Sequence, residues 1–179
     1  MNLKNEETIR DIVVLRVAEE MLTAARTAPK AKGIDNLVLA MATGTDIEKI
    51  AEKMDEIGNR PDGTPSFIRD AANIRNAQAV VLLGTLINSQ GVKLCGRCGF
   101  KDCDEKDKHP SFPCTFNSGD LGIAIGSAVS VAMDHRVDNR VMYTIGQAVL
   151  EMKFMGEEVK IAFGIPLSVS AKNPFFDRI

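Results

Sequence analysis

The chain has 179 residues and a net charge of −2, with 45% hydrophobic and 26% charged residues. This length and this balance are typical of one globular domain with its own apolar core. A nucleic-acid-binding surface needs clustered Lys and Arg, and no strongly basic block is present. We therefore expect no nucleic-acid partner.

The beginning of the sequence lacks the pattern of a secretory signal peptide, because no apolar run follows a basic start. The longest apolar run, residues 121–133, has 13 residues and includes glycine and serine. A helix that spans a bilayer needs about 20 apolar residues. The sequence therefore predicts no membrane segment and a cytoplasmic location.

The first predicted element is a helix over residues 7–28, in which apolar residues recur every three or four positions until Pro29. Residues 30–36 are predicted to form a loop. Its two lysines and its glycine either place N–H groups around an anion or simply connect two elements. The uninterrupted apolar run at residues 37–42 predicts a buried strand.

A second helix is predicted over residues 45–57. Thr45 and Glu48 have the spacing of a capping box, and Gly58 is expected to end the helix in a left-handed conformation. The pattern then predicts a short helix at residues 67–76 and a second core strand at residues 77–84.

The group at residues 117–120 is predicted to start a helix that runs over residues 121–135. Its Gly122, Gly126 and Ser130 recur every four residues, and we expect this bare face to pack closely against another element.

The last elements are a helix over residues 139–154, which Gly156 ends, and an alternating strand over residues 157–164, which Pro166 closes. Few strands separated by many helices indicate an α/β or α+β fold.

All four cysteines fall within 20 residues, in the pattern C-x2-C-x4-C-x10-C, at Cys95, Cys98, Cys103 and Cys114. In a reducing cytosol, such a group is more often a metal or cluster site than a pair of disulfides. The spacing favours a [4Fe–4S] cluster, because the short steps let one loop wrap the cluster while a later thiol completes it. Structural zinc and redox thiol chemistry are the alternatives.

Neighbouring residues extend this interpretation. Gly96 and Gly99 are expected to permit tight turns and to bring N–H groups towards sulfur. His109 is either an exposed loop residue or a replacement ligand, and His135 is expected to interact with a helix terminus. The charged run at residues 101–108 alternates in sign and is predicted to face solvent. Classical nucleotide, zinc-protease and serine-hydrolase motifs do not occur, so no catalytic residue is assigned.

The cysteine pattern C-x2-C-G-x3-C, with its distant fourth cysteine, is similar to a small 4Fe–4S domain. With the closing segment at residues 163–178, the whole chain resembles the uncharacterised bacterial and archaeal proteins that contain a ferredoxin domain (DUF2148). That family has no established activity. The resemblance implies an iron–sulfur cluster on the four cysteines.

A second resemblance is to the FMN-dependent nitroreductases. It rests on the A-A-R-x-A-P segment at residues 24–29 with Asn36, on the helix that begins at Asp120, and on the Phe163-Gly-Ile-Pro166 strand end. It implies an α+β sandwich, a homodimer formed through long helices, and FMN at the interface. The four-cysteine loop would then be an insertion into this sandwich.

Two features depart from the nitroreductases. Their basic R-R-S-x-R run has no counterpart here, and Lys30 stands where they have serine. If FMN binds, the resemblance points to five residues: Arg26, Lys30, Lys32, Asn36 and Arg178.

We therefore predict a single nitroreductase-like domain over residues 1–179 with an inserted ferredoxin-like loop at residues 91–118. Its expected function is electron transfer or oxidoreductase chemistry through a [4Fe–4S] cluster, with FMN as a second cofactor. The partner would be a redox protein or a small-molecule acceptor. The alternative is a non-enzymatic binding or assembly module in which zinc stabilises the loop.

Overall fold

The computed structural model describes residues 3–178. Helices and strands alternate in it, and within this part of the chain no helix has the length and apolarity needed to cross a membrane. The elements in chain order are α1 Glu6–Thr27, β1 Leu37–Ala42, α2 Thr45–Gly58, α3 Pro65–Ile74, β2 Ala79–Thr85, α4 Cys103–Asp107, α5 Thr115–Asp134, β3 Asp138–Asn139, α6 Tyr143–Glu151 and β4 Ile161–Ser168, with short 3-10 turns at Ala31–Gly33 and Pro174–Phe176.

The four strands form one antiparallel sheet in the order β1-β2-β4-β3. Leu39 of β1 lies opposite Leu83 of β2, and Leu82 of β2 lies opposite Gly164 of β4. An antiparallel sheet with most of its helices packed around it confirms the α+β prediction.

Strand β2 is buried along all seven of its residues because helices cover both faces of the sheet. Val80 and Leu82 point into a core shared with α2, α3 and α6. Val81 and Leu83 point into a second core shared with α1 and α5. This arrangement explains why β2 reads as a continuous apolar run rather than an alternating one.

Most predicted elements are present with small shifts. Strand β1 has the predicted bounds, while α1, α3 and β2 begin and end within two residues of the prediction.

The predicted termini of α2 are wrong. Thr45 is already helical, and the preceding residue is Gly44 at φ 51°, with no side-chain hydrogen bond at the cap. At the other end, α2 includes Gly58, and Asn59 follows it at φ −88°. Gly58 instead allows α2 and α3 to pack closely, because a Cβ there would lie 2.7 Å from Cγ1 of Ile68 on α3.

Helix α5 begins earlier than predicted and exposes its small-residue face. It starts at Thr115, directly after Cys114, so residues 117–120 lie inside the helix. A Cβ added to Gly122 or Gly126 would meet nothing within 4 Å, so the expected close packing of this face is wrong within the chain. The opposite face packs on α1 and the sheet through Leu121, Ala124, Ala128 and Ala132.

The last helix is shorter than predicted, since β3 occupies the start of the predicted range. Strand β4 continues through Pro166, contrary to prediction. Gly164 exchanges backbone hydrogen bonds with Met142 at 3.0 and 2.8 Å. The backbone nitrogen of Pro166, two residues further along, therefore faces the same edge of β4. At that point, between the partners Asn139 and Met142, no residue pairs with β4. No ladder hydrogen bond is lost there.

Gly146 generates a stability prediction, because α6 lies directly on the backbone of β4. A Cβ at Gly146 would overlap the carbonyl group of Ala162. We expect Gly146→Ala to lower the free energy of unfolding by about 1–3 kcal/mol through overpacking, as measured by urea titration.

The control is Gln147→Ala, since Gln147 is the exposed neighbour on the same helix. Exposed substitutions of this kind usually stay within about 0.5 kcal/mol. Equal stability of the two variants would show that α6 can move away from β4 without cost.

Candidate metal or cluster site

The segment between β2 and α5 contains all four cysteines. Most of it is irregular, and three rings pack together within it. The Phe100 and His109 rings are stacked with centroids 5.1 Å apart, and the Phe100 and Phe112 rings meet edge to face at 5.6 Å. These contacts give the segment a small apolar cluster of its own.

Three left-handed residues shape the turn that carries the first two cysteines. Leu94 has φ 55°, Gly96 has φ 59° and Gly99 has φ 90°. The prediction of glycine-assisted turns is confirmed. The N–H of Gly99 donates to the Gly96 carbonyl at 3.1 Å, so that donor belongs to the turn rather than to a sulfur.

The other two cysteines are fixed by helix ends. The side chain of Asp102 accepts the N–H of Glu105 at 2.9 Å, which makes Cys103 the first residue of α4. Cys114 precedes the first turn of the 20-residue helix α5. The N–H groups at the start of a long helix favour negative charge nearby, such as a thiolate.

All four cysteines line one cavity of about 350 Å³. Cys114 is buried and the other three are half-buried, and all four are free thiols. The residues predicted as ligands therefore surround a common space. That they bind a metal or a cluster stays a prediction.

The side chains that line the cavity bear on the kind of group that fits. Within residues 3–178, no group of three or more His, Cys, Asp or Glu side chains is close enough to hold a single metal ion. Zinc requires ligand sulfurs at about 2.3 Å from the ion. Four thiolates are the usual donor set of an iron–sulfur cluster, and they also form a donor set of structural zinc. His109 does not line the cavity, whereas Asp102 and Asp104 line it together with the four cysteines.

Lys106 corrects the expectation that the charged run faces solvent. Most of residues 101–108 are exposed, but Lys106 is only 3% exposed and lines the cysteine cavity. Its ammonium donates to the Ile87 carbonyl at 2.8 Å.

A carboxylate ties the cavity to the loop after α1. Both oxygens of Asp120 accept the N–H of Ala31, at 3.2 and 3.1 Å. The amide Nε2 of Gln90, a cavity residue, lies 3.4 Å from the same carboxylate and from the Ile34 carbonyl. Of the two alternatives for the loop at residues 30–36, an anion site or a simple connector, the Ala31 N–H does face an anion, and that anion is the Asp120 carboxylate of α5.

Several buried amide atoms near this region have no hydrogen-bond partner among the described residues. They are Nδ2 of Asn36, Oε1 of Gln90 and both amide atoms of Asn117. An unpaired buried polar group costs about 1–3 kcal/mol, so such atoms mark places where a ligand could donate or accept.

The first predicted flavin residue, Arg26, is paired within the chain. Its Nη1 donates to Oδ2 of Asp35 at 2.5 Å and to the Leu37 carbonyl at 3.1 Å. Burial raises the pKa of Asp35, but the hydrogen bonds from Arg26 and the Leu37 N–H, together with nearby positive charge, outweigh burial and lower the pKa overall.

Lys30 is also committed to the chain. Its ammonium donates to the carbonyls of Arg26 at 2.5 Å and Ala28 at 2.8 Å, where it caps the end of α1. Lys32, at φ 58°, is exposed, and its ammonium donates to the Gly91 carbonyl at 3.2 Å.

The remaining two predicted flavin residues are Asn36 and Arg178. Asn36 accepts a hydrogen bond from Asn88 at 3.3 Å and keeps its buried Nδ2 unpaired. Arg178 ends a tail whose Phe175 packs into the core of α2, α3 and α6. Four of the five residues lie within the 11 consecutive residues from Arg26 to Asn36, and Arg178 lies in the tail of the chain. None of the five lines the cysteine cavity.

Sequence reasoning missed Gln90, Lys106 and Asp120. Lys106 follows Cys103 by three residues, and this spacing could have predicted that the two residues share one face of a helix. Gln90 and Asp120 are 30 positions apart, and no local pattern links them.

Residues 111–178 match the family model described as "Uncharacterized protein containing a ferredoxin domain (DUF2148)". Across 98% of this chain and 97% of the relative, the sequence is 39% identical to an uncharacterised protein of Archaeoglobus fulgidus. That likeness extends through the cysteine segment and well beyond the part matched by the family model.

Solved structures of low sequence identity share the fold. A nitroreductase with bound FMN from Desulfitobacterium hafniense has a TM-score of 0.59 at 15% identity, over 95% of this chain and 92% of that chain. A nitroreductase family protein from Clostridium novyi has a TM-score of 0.60 at 12% identity, over 90% and 76%. The predicted nitroreductase-like sandwich is confirmed.

Proposed function

Because the chain belongs to the family of uncharacterised proteins that contain a ferredoxin domain (DUF2148), we propose that its four cysteines hold a [4Fe–4S] cluster and that it carries electrons. The family description and the oxidoreductases among the structural neighbours support a redox role. The observation that carries the proposal is that all four cysteines line one cavity.

The chain's own residues would hold the group from three sides. Cys95 and Cys98 come from the left-handed turn, Cys103 from the start of α4, and Cys114 from the start of α5. A [4Fe–4S] cluster bound there would accept and donate single electrons. Three of the ligands are only half-buried, which leaves an edge of the site near the surface for a redox partner or a small acceptor. A reducing cytoplasm, which we propose as the location, keeps such thiols available.

The first test is reconstitution with iron and sulfide under anaerobic conditions. We expect a brown protein with broad visible absorption and equal amounts of iron and acid-labile sulfide. Cys103→Ser should lose most of both, because the cluster would lack one of its four thiolates.

Ser111→Ala is the control, since Ser111 is an exposed residue of the same segment outside the cavity. It should retain the wild-type iron and sulfide content. A colourless protein that contains one zinc per chain would replace this proposal by the alternative, a zinc-stabilised binding or assembly module.

FMN is a second candidate cofactor, which would make the chain a flavin-dependent oxidoreductase. It is supported by the fold shared with an FMN-bound nitroreductase and by the unpaired Nδ2 donor of Asn36. Because Arg26 and Lys30 are committed to the chain, we assign the flavin phosphate to Lys32.

Titration with FMN, followed by flavin fluorescence, tests this assignment. Lys32→Ala should raise the dissociation constant about tenfold, through loss of a charge-assisted hydrogen bond to phosphate. Lys49→Ala, which removes an exposed lysine from α2, should leave it unchanged. If the wild-type protein does not change the fluorescence of FMN, the flavin part of the proposal is wrong and the cluster part is unaffected.

We also propose a homodimer, as the nitroreductase resemblance implies. Its support is the exposed small-residue face of α5, beside which Ile123 is 49% and Met133 is 61% exposed. Sedimentation should give twice the chain mass of 19.4 kDa. Gly126→Arg, which places a bulky charge on this face, should shift the protein to monomer. A wild-type monomer at all concentrations would contradict the proposal.

A further inference from the structure

Lys106 is a buried cation that lacks a full set of partners. Its side chain is 4% exposed, whereas an ammonium group has three N–H donors to satisfy. One donates to the Ile87 carbonyl at 2.8 Å. The only carboxylate within 4.0 Å of the ammonium in the described part of the chain is that of Asp107, at 3.6 Å.

Asp107 compensates this charge poorly. Its side chain is 58% exposed, and Oδ1, the atom nearest to Lys106, already accepts the hydroxyl of Ser89 at 2.6 Å. An ion pair with so much solvent contact is weak. A buried ammonium without a close anion is costly, so an anionic group on another side of Lys106 would complete the arrangement.

Lys106 also lines the cysteine cavity, and neither Ile87 nor Asp107 lies in that lining. Lys106 and Cys103 are three residues apart and therefore share one face of α4, and both line the cavity. The same lysine also lines a neighbouring groove, so its side chain forms part of the wall between the two spaces. A positive charge within that wall acts on the cavity through a medium of low dielectric constant, and it does not need to contact the occupant.

We infer that Lys106 is the internal countercharge of the group held by the four cysteines and that it raises the reduction potential of this group. The inference rests on the proposed cluster. A [4Fe–4S] cluster with four thiolates carries a net negative charge, and one-electron reduction adds another. A fixed cation stabilises the reduced state more than the oxidised state, and Lys106 is thus a positioning and tuning residue rather than a ligand.

The experiment is a redox titration of the full-length, reconstituted protein, monitored by the spectrum of the reduced cluster. Lys106→Met keeps the length of the side chain and removes its charge. We expect the reduced-to-oxidised ratio at a fixed potential to fall about tenfold, which equals a potential lower by about 59 mV for one electron. Lys106→Arg, which keeps the charge, should remain close to wild type.

Lys108→Met is the matched control. It removes the same charge from the residue just after α4, but Lys108 is exposed and does not line the cavity. Solvent screens an exposed charge, so its potential should stay close to that of wild type. A general effect of net charge would instead move both methionine variants equally and would overturn the inference.

The remaining outcomes separate this inference from the proposed function. A clustered wild type and a clustered Lys106→Met variant with the same potential overturn the role of Lys106 and leave the cluster proposal intact. A wild type that takes up no cluster overturns both.

Two further outcomes concern loading of the variants. Suppose that only Lys106→Met fails to take up the cluster, that its cluster-free form unfolds at the wild-type temperature, and that Lys106→Arg is loaded. The charge is then needed for binding, and the countercharge role stands. If Lys106→Arg also fails, the side chain acts by packing, and the inference is wrong.

Discussion

Strand β2 is the constraint on which the rest of the molecule depends. It is hydrogen-bonded along both edges and buried on both faces, so its position is fixed by two strands and two helix layers at once. The cysteine segment starts where this strand ends. There the N–H of Leu86 and the hydroxyl of Thr85 both reach the carbonyl of Asn36, at 3.0 and 3.3 Å. The rigid sheet therefore sets the origin of the site and its distance from the loop after α1.

Beyond that origin, the segment is held mostly by polar contacts. Lys106 reaches back to Ile87, and Gln90 meets Asp120, which in turn holds Ala31. The stacked ring cluster adds a small apolar contribution. Such contacts are few for a long irregular segment, and a group bound by four thiolates would add the strongest link among its parts.

The two resemblances were informative about different levels of structure. The nitroreductase likeness correctly identified the sandwich, whose helices and strands follow from apolar periodicity. The residues of that resemblance around the end of α1 have partners within the chain: Arg26 is paired with Asp35, and Lys30 caps α1 through backbone carbonyls. The fold is therefore shared more fully than the details of the flavin site. The match to the ferredoxin-domain family model begins at residue 111 and includes Cys114 alone among the cysteines, whereas the structure gathers all four thiols around one cavity.

The sequence by itself determined the apolar strands, most of the helices and the grouping of the four cysteines, because these features depend on local periodicity and on spacing along the chain. Helix termini were less predictable: Gly44 rather than Thr45 precedes α2, and α5 begins directly after Cys114 rather than at the group of residues 117–120. Only the tertiary structure decided that Lys106 is buried and that Asp120 binds the loop after α1. Burial and pairing of these charges depend on elements brought together from distant parts of the chain, and no local pattern encodes that proximity.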